Sequence, residues 1–554
     1  MRLFLVVSIL SMLFSCNDAE FVPAPPAEDQ APFTWDNATV YFLMTDRFFD
    51  GDPTNNYVHT EANQPAPYRG YQGGDIKGVT QKIREGYFAD LGVDAIWMTP
   101  LVEQIDGSVD EGTGMSFGFH GYWTRDWTAL DEKFGTEADL TELVTVAHEN
   151  GIRILIDVVA NHTGPVTALD SQWPESWVKT GPRCAYVDAE TTINCTLVEN
   201  LPDIRTESEE EVELPEFIIE KWKSEGRYER EVEELEAWFE MTGYKRTPVN
   251  YILKWLVDFI REFGVDGFRV DTVKHTEEFV WARLWKQASA AWETYKDQYP
   301  EKVIDDQPFY MVGEVYNYFI GNGRLYDYGD RKVDFFKDGF TSMINFDFKY
   351  DATKSYEEMF SKYDRLLHGE LTGKTVLNYA SSHDDGSPYD KMRERPLETG
   401  TRLLLCQGGA QIFYGDETAR SLSVSADGDA VLRSFMNWDD IDTNRSRGDL
   451  TTEEILEHWQ KLGVFRKQNP AIGAGRHLQI DDTPYTFSRI YSAGDYKNEV
   501  VVSLRVRENA RVDLGTVYED GTELYDYYNE RKYTVSNGEI RVEDATPVIL
   551  LKAI

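Results

Sequence analysis

Basic residues are in short supply: 56 Lys and Arg stand against 97 Asp and Glu, which leaves a formal net charge of -41 over 554 residues. Gripping a phosphate backbone takes clustered Lys and Arg, and a surface this acidic repels a polyanion, so nucleic acid is excluded as a partner while a neutral polymer is unaffected. The acidity also suits salty surroundings or simple solubility, and composition does not choose between them. Cysteine is scarce as well, with 4 in the chain, and no spacing among them resembles a zinc site. Neither a GxGxxG fingerprint nor a phosphate-cradling GxxxxGK loop follows any strand pattern, which argues against a dinucleotide or nucleotide fold. Aromatics, by contrast, make up 13%, with 14 Trp and 31 Tyr. Such flat surfaces with polar tips serve sugar binding or ordinary packing equally.

The N-terminus has one positive charge, Arg2, then an apolar run from Leu3 to Phe14, the layout of a secretory signal and too short to span a bilayer comfortably. Its ending, Leu13, Phe14, Ser15, Cys16, resembles a bacterial lipoprotein box, with Cys16 as the lipidated residue and Phe14 an unusual occupant of its position. We expect a signal peptide over 1–15 and a flexible Pro- and acid-rich tether over 16–34, which together imply export across the inner membrane to a periplasmic or outer-membrane-anchored location. In an exported chain, Cys184 and Cys195, close together in a polar stretch, are expected to form a disulfide, and Cys406, beside Leu403, Leu404 and Leu405, a buried thiol.

From about Thr39 to Thr418 short apolar runs alternate with helical patterns. Eight strands are expected: Val40 to Met44, Ala95 to Thr99, Ile152 to Val158, Gly267 to Asp271, Tyr310 to Glu314, Met343 to Phe346, Val376 to Ala380 and Ile412 to Tyr414. Eight such β/α units predict an α/β fold, a closed (β/α)8 TIM barrel. Between the third strand and the helical pattern beginning near Tyr251 lie about ninety residues, too many for a loop, so 162–247 is expected to be an inserted subdomain. The barrel would then run over 35–161 and 248–476. From 477 to 554, alternating apolar and polar residues broken by turns such as Glu519, Asp520 and Gly521 predict an antiparallel β-sandwich.

Three acids stand where a barrel keeps its chemistry, at the C-terminal ends of strands: Asp271 closing "GFRVD", Glu314 closing "YMVGE" and Asp384 after "NYASSH". Two carboxyls, one to protonate a leaving oxygen and one for the other face of the sugar, are what cleavage of a glycosidic bond requires. Arg269 lies two residues before Asp271 and so projects to the same side; it would keep that carboxylate ionised, or form a structural ion pair with it. Glu314 follows an apolar run, and a partly dry, acid-lined site raises a carboxyl pKa and suits it to donate a proton.

These segments, with "DVVANH" (Asp157 to His162), "LPDI" (Leu201 to Ile204), "GFRVDTVKH" (Gly267 to His275), "GEV" (Gly313 to Val315) and "SSHD" (Ser381 to Asp384), fall in one order. In that order and spacing the chain resembles the α-amylase family of glycoside hydrolases, above all its periplasmic bacterial members. The resemblance implies Asp271 as nucleophile, Glu314 as acid/base and Asp384 as a stabiliser binding sugar hydroxyls. It places His162, Arg269 and His383 around the cleaved bond, Tyr122 with His120 as a stacking face, and Lys274 with His275 on the leaving side, the feature that favours α-1,4 over α-1,6 cleavage. Ser382, in place of the Asn of chloride-activated members, implies no chloride requirement, and Phe119 replaces a Tyr common before "HGYW".

The resemblance also implies calcium (Ca2+). Asn161, Asp203 and the backbone carbonyl of His275 match one family site, and oxygen ligands from several loops suit a hard cation. "DGDPTNN" followed by "GGD" resembles a second, with ligands Asp50, Asp52, Asn55, Asn56, Gly73 and Asp75, although such residues also build ordinary turns. The implied activity is endo-acting, retaining hydrolysis of α-1,4-glucosidic bonds by a monomer acting on starch, glycogen or maltooligosaccharides. The alternatives are a transglycosylase of the same family and a non-catalytic glucan-binding lipoprotein.

Overall fold

The computed structural model describes residues 31–554. The signal peptide, Cys16 and all but the last residues of the expected tether lie outside this range. Eight parallel strands close into a barrel: β1 (Thr39–Leu43), β2 (Ala95–Met98), β3 (Arg153–Val158), β4 (Gly267–Val270), β5 (Tyr310–Gly313), β6 (Ser342–Asn345), β7 (Thr375–Tyr379) and β8 (Gly409–Phe413). Each strand neighbours the next in sequence, and β8 returns to β1 with Thr39 opposite Ala410. Every residue of β1 and of β3 is buried, because helices cover the outside and side chains fill the inside, which is why these segments read as continuous apolar runs rather than alternating ones. All eight expected strands are present, and the (β/α)8 architecture holds.

Helix starts and stops follow local chemistry. α1 (Glu137–Glu149) begins in a capping box, Thr136 accepting from the Asp139 amide while the Asp139 carboxylate accepts from Thr136. Between β3 and the next barrel helix, the chain builds its own elements: a short antiparallel pair, Val178–Lys179 with Asp203–Ile204, a helix at Ala189–Asn194, α2 (Glu216–Ser224) and α3 (Tyr228–Thr242). Trp177 stacks at 6.2 Å on Trp255 of α4 (Pro248–Phe263), so tryptophans join this insertion to the barrel. Glu209, Glu210 and Glu211 are exposed, a solvated face. α4 carries Pro248 in its first turn and stops at Gly264, whose left-handed φ of 71° lets its N–H reach the Ile260 carbonyl.

The described residues form two compact units, one running to Gln479 with Ser488–Val500 added, the other made of Ile480–Phe487 and Val501–Ile554. Near the C-terminus a six-stranded antiparallel sheet accompanies a two-stranded one, Ala510–Asp513 with Glu539–Val542. Val501, Leu524 and Leu551 from the larger sheet and Val512, Ile540 and Val542 from the smaller share one apolar cluster, the arrangement of a small sandwich. Among the described residues no helix is long and apolar enough to cross a membrane.

Candidate active site

Asp271 and Glu314 each stand one residue beyond their strands, so the backbone still holds them in register: the Asp271 amide donates to the Val158 carbonyl at 3.0 Å and the Glu314 amide to Val270 at 2.9 Å. Arg269, on β4 and 1% exposed, ties the group together. Its Nη1 lies 2.7 Å from Asp271 Oδ1 and 2.9 Å from Asp157 Oδ1, and its Nη2 lies 3.5 Å from Glu314 Oε2. One buried guanidinium thus faces three carboxylates, and such a charge is tolerable out of water only because it is paired. Asp157, from "DVVANH", also accepts from Trp97 Nε1 and from the Tyr122 hydroxyl at 2.7 Å. Burial pushes its carboxyl up to about 7 against the pull of Arg269.

Thr272 turns the chain between the two acids. It sits at φ 48° and ψ 37°, left-handed space that a β-branched residue seldom enters, and from there its N–H donates to Glu314 Oε2 at 2.9 Å. Burial pushes the Glu314 carboxyl up to about 8, with Asp271 and Asp384 adding to the rise and Arg269 opposing it. Asp384 is a third exposed on its side chain and accepts from Ser382 Oγ at 3.2 Å.

Rings surround these acids. Tyr122 stacks on His383 at 5.4 Å and lies 5.8 Å from His120, whose Nδ1 accepts from the Tyr122 amide. His162 Nε2 donates to the Tyr122 carbonyl at 3.2 Å, while its Nδ1 has no partner among the described residues. Burial holds His120, His162, His275 and His383 below the usual imidazole range, so near neutral pH these rings are uncharged. Lys274 Nζ reaches the Tyr316 carbonyl at 3.3 Å, and His275 Nδ1 donates to Thr192 at 2.8 Å. Phe119 is buried under the Arg47 guanidinium, 3.9 Å from its ring centre.

The sequence profile of the α-amylase catalytic domain matches residues 42–446. The chain belongs to the α-amylase family of glycoside hydrolases. The periplasmic α-amylase of Escherichia coli (strain K12) is 35% identical over 511 residues, covering 82% of this chain and 70% of that protein. A cyclomaltodextrin glucanotransferase of Niallia circulans is 26% identical over 88% of this chain, which spans 63% of that enzyme's length. Among solved structures, an Anoxybacillus α-amylase superposes with a TM-score of 0.65 at 22% identity over 94% of this chain and 99% of its own. The Geobacillus thermoleovorans α-amylase complexed with acarbose superposes equally, at 21% identity over 94% and 99%. At these identities the two structures speak for the fold alone.

Two clusters fit the calcium that this family commonly binds. Asp203 is 1% exposed, with Asn161 Nδ2 at 3.4 Å and no Lys or Arg paired with it among the described residues. Burial pushes its carboxyl up to about 7. The Thr276 hydroxyl, next to His275, donates to Asn161 Oδ1 at 3.3 Å, which brings the chain beside His275 to the Asn161–Asp203 pair. Around β1's following loop, Asp50 Oδ1, Asn55 Oδ1 and Asn56 Oδ1 are buried and have no hydrogen-bond partner among the described residues, and Asn56 lies against Gly73. Surplus oxygens with no donor are what a hard cation satisfies. Asp75 is engaged otherwise, accepting from the amides of Gly51, Asp52 and Gly78 at the start of the helix Ile76–Arg84, while Asp52 pairs with Lys77 at 2.5 Å.

Sequence reasoning missed several groups. Arg433 Nε donates to the His383 carbonyl at 2.9 Å and its Nη2 pairs with Asp429, which also takes Arg69. An i, i+4 pair of opposite charges was the only signal in the sequence. Glu234, Asp258 and Glu262 bring carboxylates within 4.8 Å of one another, joining α3 to α4, with Lys254 set on the first two. Two expectations from the sequence hold: the sulfurs of Cys184 and Cys195 are bonded, and Cys406 is a buried free thiol.

Proposed function

We propose that the protein is an endo-acting, retaining hydrolase of α-1,4-glucosidic bonds in starch, glycogen or maltooligosaccharides. The observation that carries this reading is the single guanidinium of Arg269 spanning Asp271 and Glu314 at the ends of adjacent barrel strands. Held beside that charge, Asp271 attacks the anomeric carbon, while Glu314, kept protonated near neutrality by burial, gives its proton to the departing glycosidic oxygen. The C–O bond to the leaving sugar breaks as the bond to Asp271 forms. Glu314, now a carboxylate, takes a proton from water, which displaces Asp271 and returns the sugar with its configuration retained. Asp384 accepts from sugar hydroxyls as positive charge develops. His162, Arg269 and His383 line the cleaved bond, Tyr122 with His120 gives the sugar a flat face, and Lys274 and His275 meet the leaving side.

Calcium, when bound by Asn161, Asp203 and the His275 carbonyl, supplies a structural tie from the insertion to the barrel rather than chemistry. Asp50, Asn55 and Asn56, with Gly73, Asp52 and Asp75 about them, would hold a second ion. A periplasmic location, with anchoring through Cys16, is supported by the export-like N-terminus and by the periplasmic relative.

The test is incubation with amylose, with pullulan as control, followed by product sizing and anomeric NMR of the first products. Internal scission giving α-configured ends is expected. Cyclic products favour a transglycosylase, the activity named for several relatives, and no cleavage favours a glucan-binding protein.

A further inference from the structure

Lys274 and His275 lie in a short turn, Val273–His275, that begins two residues past the rim acid Asp271. Two separate elements hold them. The Cys184–Cys195 loop carries the helix Ala189–Asn194, and its Thr192 carbonyl accepts from His275 Nδ1 at 2.8 Å while the Tyr186 ring packs edge-on against His275 at 5.0 Å. A hairpin after β5, Tyr326–Asp327 with Lys332–Val333, supplies Tyr328, whose hydroxyl donates to the Lys274 carbonyl at 2.8 Å. It also supplies Tyr326, whose ring centre lies 5.8 Å from Lys274 Nζ.

Loop and hairpin meet each other too. The Ala189 amide donates to Asp330 Oδ1 at 2.9 Å, and Gly329, at φ 101°, comes so near that a Cβ there would meet the Val187 carbonyl at 2.8 Å. The contacts close a ring, from loop to His275, from Lys274 to hairpin and from hairpin back to loop. Beside it, three large apolar side chains face solvent: Val187 of the loop, 67% exposed, and Tyr316 and Leu325 of the segment leading into the hairpin, 45% and 43% exposed.

We infer that the Cys184–Cys195 loop and the Tyr326–Val333 hairpin act as one clamp that fixes Lys274 and His275 for the glucose units on the leaving side of the cleaved bond, with Tyr316 as a stacking face and the disulfide as the closure that keeps the clamp set. This rests on the hydrolytic reading above and adds what sets substrate length to it. Cys184, Cys195 and Asp330 are positioning residues: they reach sugar only through others. A covalent closure removes conformations from an 11-residue span that would otherwise have to be ordered when a long chain binds. The clamp's contribution therefore falls on binding beyond the bond, not on proton transfer at Glu314.

The experiment compares wild type, the Cys184→Ser/Cys195→Ser double variant and Asp330→Ala on maltotriose through maltoheptaose, following kcat, KM and which bond is cut. For the double variant kcat/KM on maltoheptaose is expected to fall about tenfold through KM, with about twofold or less on maltotriose, and the cut to move toward the reducing end, where fewer leaving-side units are engaged. Asp330→Ala, which leaves the disulfide intact, should shift the same way by a smaller factor. Should the double variant fail to fold, Asp330→Ala decides alone. An unchanged length dependence, or an equal loss on every substrate as a merely structural role predicts, overturns the clamp while leaving the hydrolase intact. A wild type that cuts none of the series overturns the hydrolytic reading, and the clamp with it.

Discussion

The rim of β4 and β5 and the loop after β1 both gather oxygens out of water, and they balance them in opposite ways. At the rim the carboxylates of Asp157, Asp271 and Glu314 are answered from inside the chain by Arg269 and by the Thr272 amide. In the loop, Asp50, Asn55 and Asn56 each present a buried Oδ1 that no donor among the described residues answers. A site that supplies its own counter-charge is preorganised for charge that moves during a reaction, whereas a site with surplus oxygen is complete only with an ion from solution.

Breaking the rim at its acid should have the largest effect. Glu314→Gln is expected to lower kcat about a thousandfold while maltooligosaccharide affinity, measured by calorimetry, stays within a few-fold, since only proton donation is removed. Near wild-type turnover would refute the assignment. Removing the counter-charge tests the other half of the contrast: Arg269→Met takes away the one guanidinium paired with Asp157, Asp271 and Glu314 and is expected to cost about 3–5 kcal/mol in denaturant unfolding. An unchanged midpoint would mean that the rim is not charge-balanced as described. In the loop the corresponding act is chelation. If calcium at a hundredfold above its Kd holds the folded state, stripping it should remove about 2.7 kcal/mol and lower Tm, and Asp50→Ala should shrink that shift. A Tm indifferent to strong chelator in both proteins would argue that the surplus oxygens bind nothing.

The finest test is pH. With Glu314 pushed up to about 8, kcat/KM should fall roughly tenfold per unit above that value as the acid loses its proton. The stability sign follows from the same raised pKa. Between its usual value near 4.5 and about 8 the folded chain keeps a proton that the unfolded chain has released, so this group's contribution to stability declines as pH rises through that window. Glu314→Gln should accordingly gain Tm over wild type at pH 9 more than at pH 4. An equal difference at both would show that burial is not what raises the group.

The barrel was legible because strands buried on both faces leave unbroken apolar runs, and its acids were legible because each closes or follows such a run. The eighth strand begins at Gly409, before the expected Ile412, because Gly409, Ala410 and Gln411, whose own side chains give no apolar run, find their partners on β1 and β7. Arg433 escaped notice since its link to the site is through the His383 backbone, which no side-chain pattern reveals. The left-handed Thr272 escaped for a related reason: propensity disfavours it, and only the neighbouring strands over-determine it.

Residue types and their order along the chain alone specified eight parallel strands, the acids at their C-terminal ends and a surface hostile to polyanions, since burial pattern and charge are local properties of a chain. Which carboxylates share one guanidinium, which oxygens are left without donors, and how a disulfide loop meets a hairpin more than a hundred residues away were decided by closure of the barrel, because those pairings depend on distances between strands that no sequence interval encodes.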